Sequence, residues 1–284
     1  MKTLKKSFYI VLIALLSVSL VSAQDLIEAN DLAKIMKKPD VTIVSTIATA
    51  EYNKVHILGA VSLFHKDLYD EKTMLLPDAQ IAKILGSKGI KEDQTIVLYD
   101  EGSGKYSGRM YWILDYMGAQ NVKVLNGGMK AWKASRKPIT KTATNKKAVT
   151  FTPKVNKALL ATDSEVTKAT TDGSYIIVDA RTPEEYAGTA DTKLRPGHIP
   201  GAVNVNYTTL LASNGKMKSA SALQEIFNAA GVTKDKKVII YCETSIRAGV
   251  NYIALSSVLG YPNVKVYDGA YSQWQAVSSN KIVQ

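Results

Sequence analysis

Hydrophobic and polar positions follow two alternating patterns along the C-terminal half of the chain. Short β-favouring runs at Tyr175–Val178, Val238–Tyr241 and Val264–Tyr267 predict three strands. Between them, Ser221–Ala230 and Arg247–Leu259 place apolar residues at spacings of three and four, which predicts two helices. Strands that alternate with helices predict an α/β fold, in which a parallel sheet is covered by helices on both faces.

The N-terminal half repeats the sequence of the C-terminal half. Three pairs of segments match at one offset, because 198 − 56, 263 − 121 and 274 − 132 all equal 142. The matched pairs are His56–Val61 with His198–Val203, Asn121–Val124 with Asn263–Val266, and Gly127–Trp132 with Gly269–Trp274. A constant offset over this distance indicates a tandem duplication, so we expect two domains of the same fold.

The stretch between the two copies has the composition of a linker. It is rich in lysine and threonine, contains Pro138 and Pro153, and lacks a helix or strand period. We therefore predict a first domain over residues 25–135, a linker over residues 136–156 and a second domain over residues 157–284.

The start of the chain has the three parts of an export signal. A basic beginning with three lysines is followed by the apolar run Ile10–Val21 and by small residues that end at Ala23. The apolar run is too short for a comfortable membrane span, and no cysteine stands at its end for lipid attachment. We predict a signal peptide over residues 1–23 and an exported mature protein, periplasmic or secreted, without stable membrane association. The alternative is that the segment is retained as an anchor.

The chain is basic, with a formal charge of +11 that becomes 11 − 3 = +8 without the three lysines of the predicted signal. Its lysines are scattered, and the sequence has no basic stripe with interleaved aromatic residues of the kind that nucleic acids require. We therefore predict no nucleic-acid partner, and we expect the basic surface to attract small anions.

Cys242 is the only cysteine of the chain, and it directly follows the predicted strand Val238–Tyr241. The short segment Glu243–Ile246 and then Arg247 lead into a helix, whose N-terminal amides gather positive potential. A thiol in this position is expected to be a nucleophilic thiolate, and the alternative is a buried, inert cysteine. Because no second cysteine is present for a disulfide, an unpaired thiol in an exported protein favours the catalytic interpretation.

The two copies differ at this position. At the offset of 142, Asp100 corresponds to Cys242, and Lys105 corresponds to Arg247. The first copy therefore keeps the strand but has neither the sulfur nor the arginine, and we expect it to be catalytically inactive.

The second copy also carries an insertion. Glu51-Tyr52 matches Glu185-Tyr186 at an offset of 134, so 142 − 134 = 8 additional residues precede His198. They bring Lys193 and Arg195 to the cysteine-bearing copy alone. We predict that Arg195 binds an anion, with a solvated surface loop as the alternative.

Several segments of the second copy together carry a family resemblance. They are Ile177–Arg181, Gly197–Ala202, the Cys242 loop, and Val266–Gly269 followed by Trp274. In these segments the chain resembles the tandem-domain rhodaneses, the thiosulfate and 3-mercaptopyruvate sulfurtransferases, over essentially its whole length after the predicted signal. That family pairs an inactive N-terminal domain, often with aspartate at the cysteine position, with an active C-terminal domain. Asp100 against Cys242 reproduces this asymmetry.

The resemblance implies a two-step sulfur transfer. The Cys242 thiolate would take the outer sulfur of a small anionic donor, thiosulfate or 3-mercaptopyruvate, and pass it from a persulfide to cyanide or a thiol. Loop amides and a guanidinium would hold the anion. The implied substrate-binding residues are Glu243, Thr244, Ser245, Ile246 and Arg247. No cofactor and no metal are implied.

The loop departs from both familiar patterns of the family. Thiosulfate enzymes tend to carry a basic residue where this chain has Glu243 or Thr244, and glycine where it has Ser245. Mercaptopyruvate enzymes tend toward Cys-Gly-Ser-Gly-Val-Thr. The donor therefore stays open, and we expect Glu243 to repel a dianion unless its carboxylate points outward.

Two other functions fit a cysteine and an arginine on such a loop. Cysteine phosphatases place five residues between the two, enough amides to encircle a phosphate, whereas here four residues separate Cys242 from Arg247. The second alternative is a binding or carrier protein that holds a persulfide for a partner and turns over slowly. The altered loop permits this alternative.

Other polar and aromatic side chains are expected to be structural. His198 has a counterpart, His56, in the copy without a nucleophile, so we predict that it is not catalytic. Arg181 lies two residues from Asp179 and close to Glu184 and Glu185, which predicts an ion pair. The remaining predictions are core positions for Trp132 and Trp274 and a domain-interface position for Arg109.

Overall fold

The computed structural model describes residues 25–284, which fold into two similar α/β domains. The first domain contains β1 (Leu26–Ile27), α1 (Ala29–Ile35), β2 (Val41–Ser45), α2 (Thr49–Lys54), β3 (His56–Ile57), β4 (Val61–Ser62), α3 (Asp78–Ser87), β5 (Thr95–Tyr99), α4 (Lys105–Tyr116), β6 (Asn121–Leu125), α5 (Gly128–Ala134) and β7 (Ile139–Thr140). The second contains β8 (Leu160–Ala161), α6 (Asp163–Ala169), β9 (Tyr175–Asp179), α7 (Pro183–Ala187), β10 (Ala202–Asn204), α8 (Ala220–Ala229), β11 (Lys237–Tyr241), α9 (Ala248–Tyr252), β12 (Val264–Tyr267) and α10 (Ala270–Ala276).

The two five-stranded sheets have the same topology. Their strand orders are β1-β6-β5-β2-β4 and β8-β12-β11-β9-β10, and neighbouring strands are parallel throughout. Within β11, Val238 and Ile240 enter one apolar core, while Ile239 and Tyr241 enter another on the opposite face. A strand that is buried on both faces is typical of a parallel sheet between helical layers. The predicted fold class is confirmed.

The predicted element bounds lie close to those observed. The strand Val264–Tyr267 agrees at both ends. The other two predicted strands are each one residue shorter at one end than β9 and β11, and the first predicted helix is shifted by one residue from α8. The predicted helix Arg247–Leu259 is α9 followed by a π-helix at Ile253–Val258. Because a π-helix places an apolar face much as an α-helix does over one or two turns, the sequence pattern does not distinguish them.

The two domains pack together through their central helices. Helices α4 and α9 cross at Gly108 and Gly249. A Cβ atom at Gly108 would lie 2.7 Å from the carbonyl carbon of Gly249, and one at Gly249 would lie 2.2 Å from the carbonyl carbon of Gly108. Only glycine at both positions permits this close approach of two backbones.

Each domain also extends a hairpin onto the other. The hairpins are residues 69–75 and 211–217, which are related by the offset of 142. The amide of Leu75 donates to Asp268 at 2.8 Å, and the amide of Met217 donates to Asn126 at 2.8 Å. Asp268 also accepts a hydrogen bond from Arg109, which is fully buried. The predicted domain-interface position of Arg109 is confirmed.

The segment predicted as a linker follows the surface of the first domain. β7 pairs with β3 in an antiparallel ribbon, and Phe151 is buried. The amides of Lys154 and Asn156 donate to the carbonyls of Met117 and Tyr116 at 3.0 and 2.8 Å. These contacts are mostly backbone hydrogen bonds, which leave no period in the side chains. The predicted boundaries at residues 135 and 157 stay predictions.

The predicted signal peptide over residues 1–23 lies outside the described residues. Among residues 25–284, no helix has both the length and the apolar character that crossing a membrane requires.

Candidate active site

Cys242 lies at the carboxyl end of the central strand of the second sheet. β11 runs between β9 and β12, and Cys242 is the first residue after it. Its side chain is fully buried. The carbonyls of Cys242 and Glu243 accept hydrogen bonds from the amides of Tyr271 and Ser272, both at 3.0 Å. These bonds attach the start of the loop to helix α10, so the sulfur has a fixed position.

Ser245 gives the loop its turn. Its φ angle is +55°, in the left-handed region that favours glycine, and the residue is completely buried. Its hydroxyl donates to the carbonyl of Tyr267 at the end of β12. Side chains in this backbone region cost of order 1 kcal/mol or more. The buried hydrogen bond offsets this strain, which explains how serine occupies a position where related loops usually have glycine.

The corresponding loop of the first domain shows what such a loop binds. The Asp100 carboxylate is buried and accepts four backbone hydrogen bonds of 2.9–3.3 Å, from the amides of Gly102, Gly104, Tyr106 and Ser107. The hydroxyl of Ser107 donates to it as well, at 3.2 Å. The first loop therefore holds an anionic group with backbone amides and a serine hydroxyl. At the offset of 142, the matching amides in the second domain are those of Thr244, Ile246, Ala248 and Gly249.

Arg247 closes the second loop, and two carboxylates hold its guanidinium. The two terminal nitrogens donate to Glu185 at 2.6 and 2.8 Å, and one of them lies 3.5 Å from Glu243. Burial disfavours the charge, but the bond to Glu185 and the neighbouring charges of Cys242 and Glu185 raise the pKa of Arg247 above its usual range. The guanidinium is thus permanently charged and close to the Cys242 sulfur, while its charge is shared with Glu185 and Glu243.

Glu185 is a residue of the candidate site that the sequence did not single out for contact with Arg247. Burial favours its neutral form, but the hydrogen bonds from Arg247 and from the amide of Thr182 outweigh burial and lower the pKa of Glu185. Thr182 and Glu185 form a capping box at the start of α7, which fixes the carboxylate in the first helical turn. The Thr-x-x-Glu spacing and the counterpart Glu51 in the first copy are signals that could have identified it.

The other predicted loop residues, Glu243, Thr244 and Ile246, are partly exposed. The Glu243 carboxylate lies on the Arg247 side of the loop and is 43% exposed. Thr244 lines a cavity of about 550 Å³ that both domains enclose, with Met74 from the first hairpin and Gln273 from α10 in its wall. The substrate-binding roles of Glu243, Thr244, Ser245, Ile246 and Arg247 stay predictions.

The Arg195 guanidinium donates its hydrogen bonds to backbone carbonyls. One terminal nitrogen of its guanidinium lies 3.3–3.4 Å from three carbonyls, that of Gln275 in the last turn of α10 and those of Val277 and Asn280 after the helix. Cationic side chains commonly bind the free carbonyls at a helix C-terminus in this way. These contacts favour a structural role in the inserted loop, and anion binding by Arg195 stays a prediction.

The residues that were expected to be structural have structural contacts. His198 Nδ1 lies 2.9 Å from the Tyr186 carbonyl, and the two rings stack at 3.7 Å; His56 and Tyr52 repeat this arrangement. Burial lowers the pKa of His198, so its ring is neutral. The remaining outcomes agree with expectation: Arg181 bonds Asp179 at 2.6–3.0 Å, and Trp132 and Trp274 are buried.

Comparisons with known proteins agree with this geometry. The family model of the rhodanese-like domain matches residues 28–135 and 162–277. A thiosulfate sulfurtransferase of Pseudomonas aeruginosa is 31% identical over 252 residues, which cover 87% of this chain and 93% of that protein. The sulfur carrier protein TtuD of Thermus thermophilus is 30% identical over 237 residues, which cover 78% of this chain and 83% of that protein. The structure of the 3-mercaptopyruvate sulfotransferase SseA of Escherichia coli matches with a TM-score of 0.79 and 30% identity, covering 87% of this chain and 98% of that one.

The fold, the duplicated loop and these matches together identify the class of protein to which this tandem-domain chain belongs. The chain belongs to the rhodanese family and is a sulfurtransferase, which acts between a sulfur donor and a sulfur acceptor. The predicted family, fold class and enzyme class are confirmed.

Proposed function

We propose that Cys242 is the nucleophile of this sulfurtransferase and that it carries the sulfur as a persulfide. The thiolate attacks the outer sulfur of the donor, and a new S–S bond forms as the donor bond to that sulfur breaks. The bonding electron pair leaves with the rest of the donor, as sulfite from thiosulfate or as pyruvate, after protonation, from 3-mercaptopyruvate. The acceptor then attacks the terminal sulfur, which gives thiocyanate from cyanide or a persulfide from a thiol, and the Cys242 thiolate returns.

The bonding of Asp100 carries this proposal. Its carboxylate, a full negative charge, is held in the first loop by four backbone amides. The second loop also follows the central strand of its sheet, but it is one residue longer and its left-handed position is Ser245 rather than Gly102 and Gly104. We propose that its amides likewise stabilise a thiolate and a persulfide anion. Arg247 adds a cation beside the sulfur without any metal ion being required.

We propose that thiosulfate is the poorer of the two donors. A free arginine would favour a dianion, but the Arg247 guanidinium is already bound by Glu185 and lies beside Glu243. A dianion placed beside the Glu243 carboxylate is repelled by that charge. A donor with one carboxylate has less charge to place near Glu243 than thiosulfate has.

A persulfide carrier is the second candidate, favoured by the burial of Cys242. A sulfur that is fully buried is protected from solvent and small nucleophiles, and one similar protein is named a sulfur carrier. A carrier would form a stable persulfide and transfer it mainly to a protein partner.

A parallel assay of the two donors tests these proposals. The protein is incubated with cyanide and either thiosulfate or 3-mercaptopyruvate, and thiocyanate release is measured beside the Cys242→Ser variant. We expect turnover with 3-mercaptopyruvate to exceed turnover with thiosulfate, and no turnover with Cys242→Ser. Activity that survives in the serine variant would exclude Cys242 as the nucleophile. A stable persulfide on Cys242 by mass spectrometry, with negligible turnover of either donor, would favour the carrier.

We also propose that the N-terminal segment directs export to the periplasm or beyond. The support is the order of basic, apolar and small residues up to Ala23. Cell fractionation and N-terminal sequencing of the protein test this, with a mature start at Gln24 expected. Recovery of the full-length chain in the cytoplasm would contradict it.

A further inference from the structure

A second cavity lies in the first domain, beside the Asp100 loop. It has a volume of about 510 Å³, within the range of small-molecule sites. Phe64, Tyr106 and Met129 form apolar and aromatic parts of its wall. Glu51 and Glu101 also line it.

These two glutamates are the first-domain counterparts of the pair that holds Arg247. The offsets are 185 − 51 = 134 and 243 − 101 = 142, the same two offsets that relate the copies elsewhere. In the second domain, Glu185 and Glu243 accept hydrogen bonds from the Arg247 guanidinium at 2.6, 2.8 and 3.5 Å. The pair of carboxylates is therefore a guanidinium site in the domain where an arginine is present.

The first domain has kept the carboxylates and lost the guanidinium. Lys105 stands where the second domain has Arg247, and its Nζ lies 4.8 Å from the centre of the Tyr106 ring. Within residues 25–284, Glu101 forms no ion pair, and Glu51 pairs with Lys54 alone, at 2.6 Å on an exposed helix surface. Exposed pairs of this kind contribute little and exchange readily.

Two smaller side chains explain why the space is open. In the second domain, Arg181 stacks on the ring of Tyr271 at 3.9 Å and fills the corresponding region. Their counterparts, at 181 − 134 = 47 and 271 − 142 = 129, are Ile47 and Met129, which both line the cavity. The guanidinium groups of Arg181 and Arg247 thus have no counterpart in the first domain, where Ile47 and Lys105 stand at those positions.

We propose that this cavity binds a small ligand with a guanidinium group, which Glu51 and Glu101 hold as their counterparts hold Arg247. Phe64 supplies an aromatic surface beside a planar cation, while the Tyr106 ring is stacked on His65 at 4.2 Å. Lys66 and Lys133 also line the cavity and favour an anionic group elsewhere on the same ligand. A free amino acid of the arginine type has both groups.

Calorimetric titration of the full chain with L-arginine tests the proposal. Citrulline is the matched ligand control, because it has the same shape and carboxylate with an uncharged ureido group. We expect arginine to bind at one site and citrulline to bind at least about tenfold more weakly, since a charged guanidinium forms stronger hydrogen bonds with carboxylates than a neutral ureido group does. Equal binding of the two ligands, or binding of neither, would overturn the proposal.

Substitutions locate the site. Glu51→Gln and Glu101→Gln should each weaken arginine binding about tenfold, whereas Glu225→Gln, on the exposed face of α8, should leave it unchanged. Lys105→Arg is the most selective variant, because it keeps the net charge and supplies the guanidinium from within the protein. We expect it to weaken arginine binding as strongly as the glutamate variants do, with an unchanged melting temperature as the control for folding.

Unchanged affinity in both Lys105→Arg and Glu101→Gln would assign any arginine binding to another surface and overturn the proposal. The Cys242→Ser variant should bind arginine as the unmodified chain does. The outcome is therefore independent of whether Cys242 performs sulfur transfer.

Discussion

The loop after β5 and the loop after β11 lie at equivalent places in the two domains but begin with different residues, Asp100 and Cys242. Each follows the central strand of a parallel sheet and leads into a helix that packs at the domain interface. In the first loop the anion is built in, because Asp100 supplies a carboxylate to the amides around it. In the second loop Cys242 takes that place, and its sulfur can form and break bonds. The backbones of the two loops also differ, because the left-handed positions are Gly102 and Gly104 in the first loop and Ser245 in the second.

The space beside the two loops also differs between the domains. The second domain fills the space beside its loop with Arg181, Tyr271 and Arg247, and it binds the last of these with Glu185. The first domain leaves a cavity of about 510 Å³ there. A duplicated domain without the nucleophile has thus kept a place where a ligand can bind, while its hairpin contacts the second domain through Asp268 after β12.

Converting the second loop into the first should have the largest effect. Cys242→Asp is expected to lower sulfur-transfer turnover by at least about 10³-fold, because the nucleophile is lost, while the protein stays folded. If the amides of the two loops are equivalent, the melting temperature of Cys242→Asp should lie close to that of the unmodified chain. Cys242→Leu, which offers no acceptor, should melt lower. Equal destabilisation by aspartate and leucine would contradict the equivalence.

Removing the built-in anion should destabilise the first domain. Asp100→Ala leaves four amides, one buried and three partly buried, and the Ser107 hydroxyl without their acceptor, at an expected cost of about 2–4 kcal/mol in the free energy of unfolding. Urea denaturation measures this change. Asp31→Ala, which removes an exposed carboxylate paired with Lys34, is the control and should change stability by less than about 0.5 kcal/mol. An equally small effect for Asp100→Ala would mean that the carboxylate is not held by the loop.

Arg247→Ala should reduce activity by about 10–100-fold. The substitution removes the cation beside Cys242 and leaves the Glu185 carboxylate largely buried without its partner. Turnover should decrease, and the exposed control Lys157→Ala should leave it unchanged. A variant with normal turnover would remove Arg247 from the active site.

The smallest expected effect concerns pH and a histidine that the second domain lacks. Burial, and then the charges of Lys66, Arg109 and Lys105, lower the pKa of His65 to about 3. The unfolded chain takes up a proton at about pH 6.5 and the folded chain does not, so stability should fall as the pH decreases from 6.5 toward 3. The slope is at most about 1.4 kcal/mol per pH unit.

The counterpart of His65 is Tyr207, at 207 − 65 = 142, so His65→Tyr is the matched variant. The difference between the unfolding free energies of the variant and the unmodified chain, measured from pH 7 to pH 4, isolates the contribution of His65. Carboxylates such as Glu185 titrate in both proteins and cancel. If this difference in unfolding free energy does not change with pH, His65 takes up its proton at the same pH in the folded and the unfolded chain, and the prediction is wrong.

Much of the fold follows from the sequence. The strand runs, the helical spacing and the constant offset predicted two parallel-sheet domains, and the structure has the same strand order twice. The π-helix at Ile253–Val258 was not predicted, because an extra residue in one turn leaves the apolar spacing nearly unchanged. The close crossing of Gly108 and Gly249 was not predicted either, since a glycine pair shows its meaning only when two backbones meet.

By itself, the sequence determined that the chain is a duplicated α/β protein and that Cys242 and Asp100 occupy equivalent strand ends. These conclusions depend on local patterns and on comparison of the chain with itself. Only the tertiary structure decided which charges meet. Arg247 binds Glu185, 62 residues away, and Arg109 binds Asp268, 159 residues away in the other domain. The physical reason is that parallel sheets bring the ends of distant strands together, and electrostatic interactions depend on distance in space rather than along the chain.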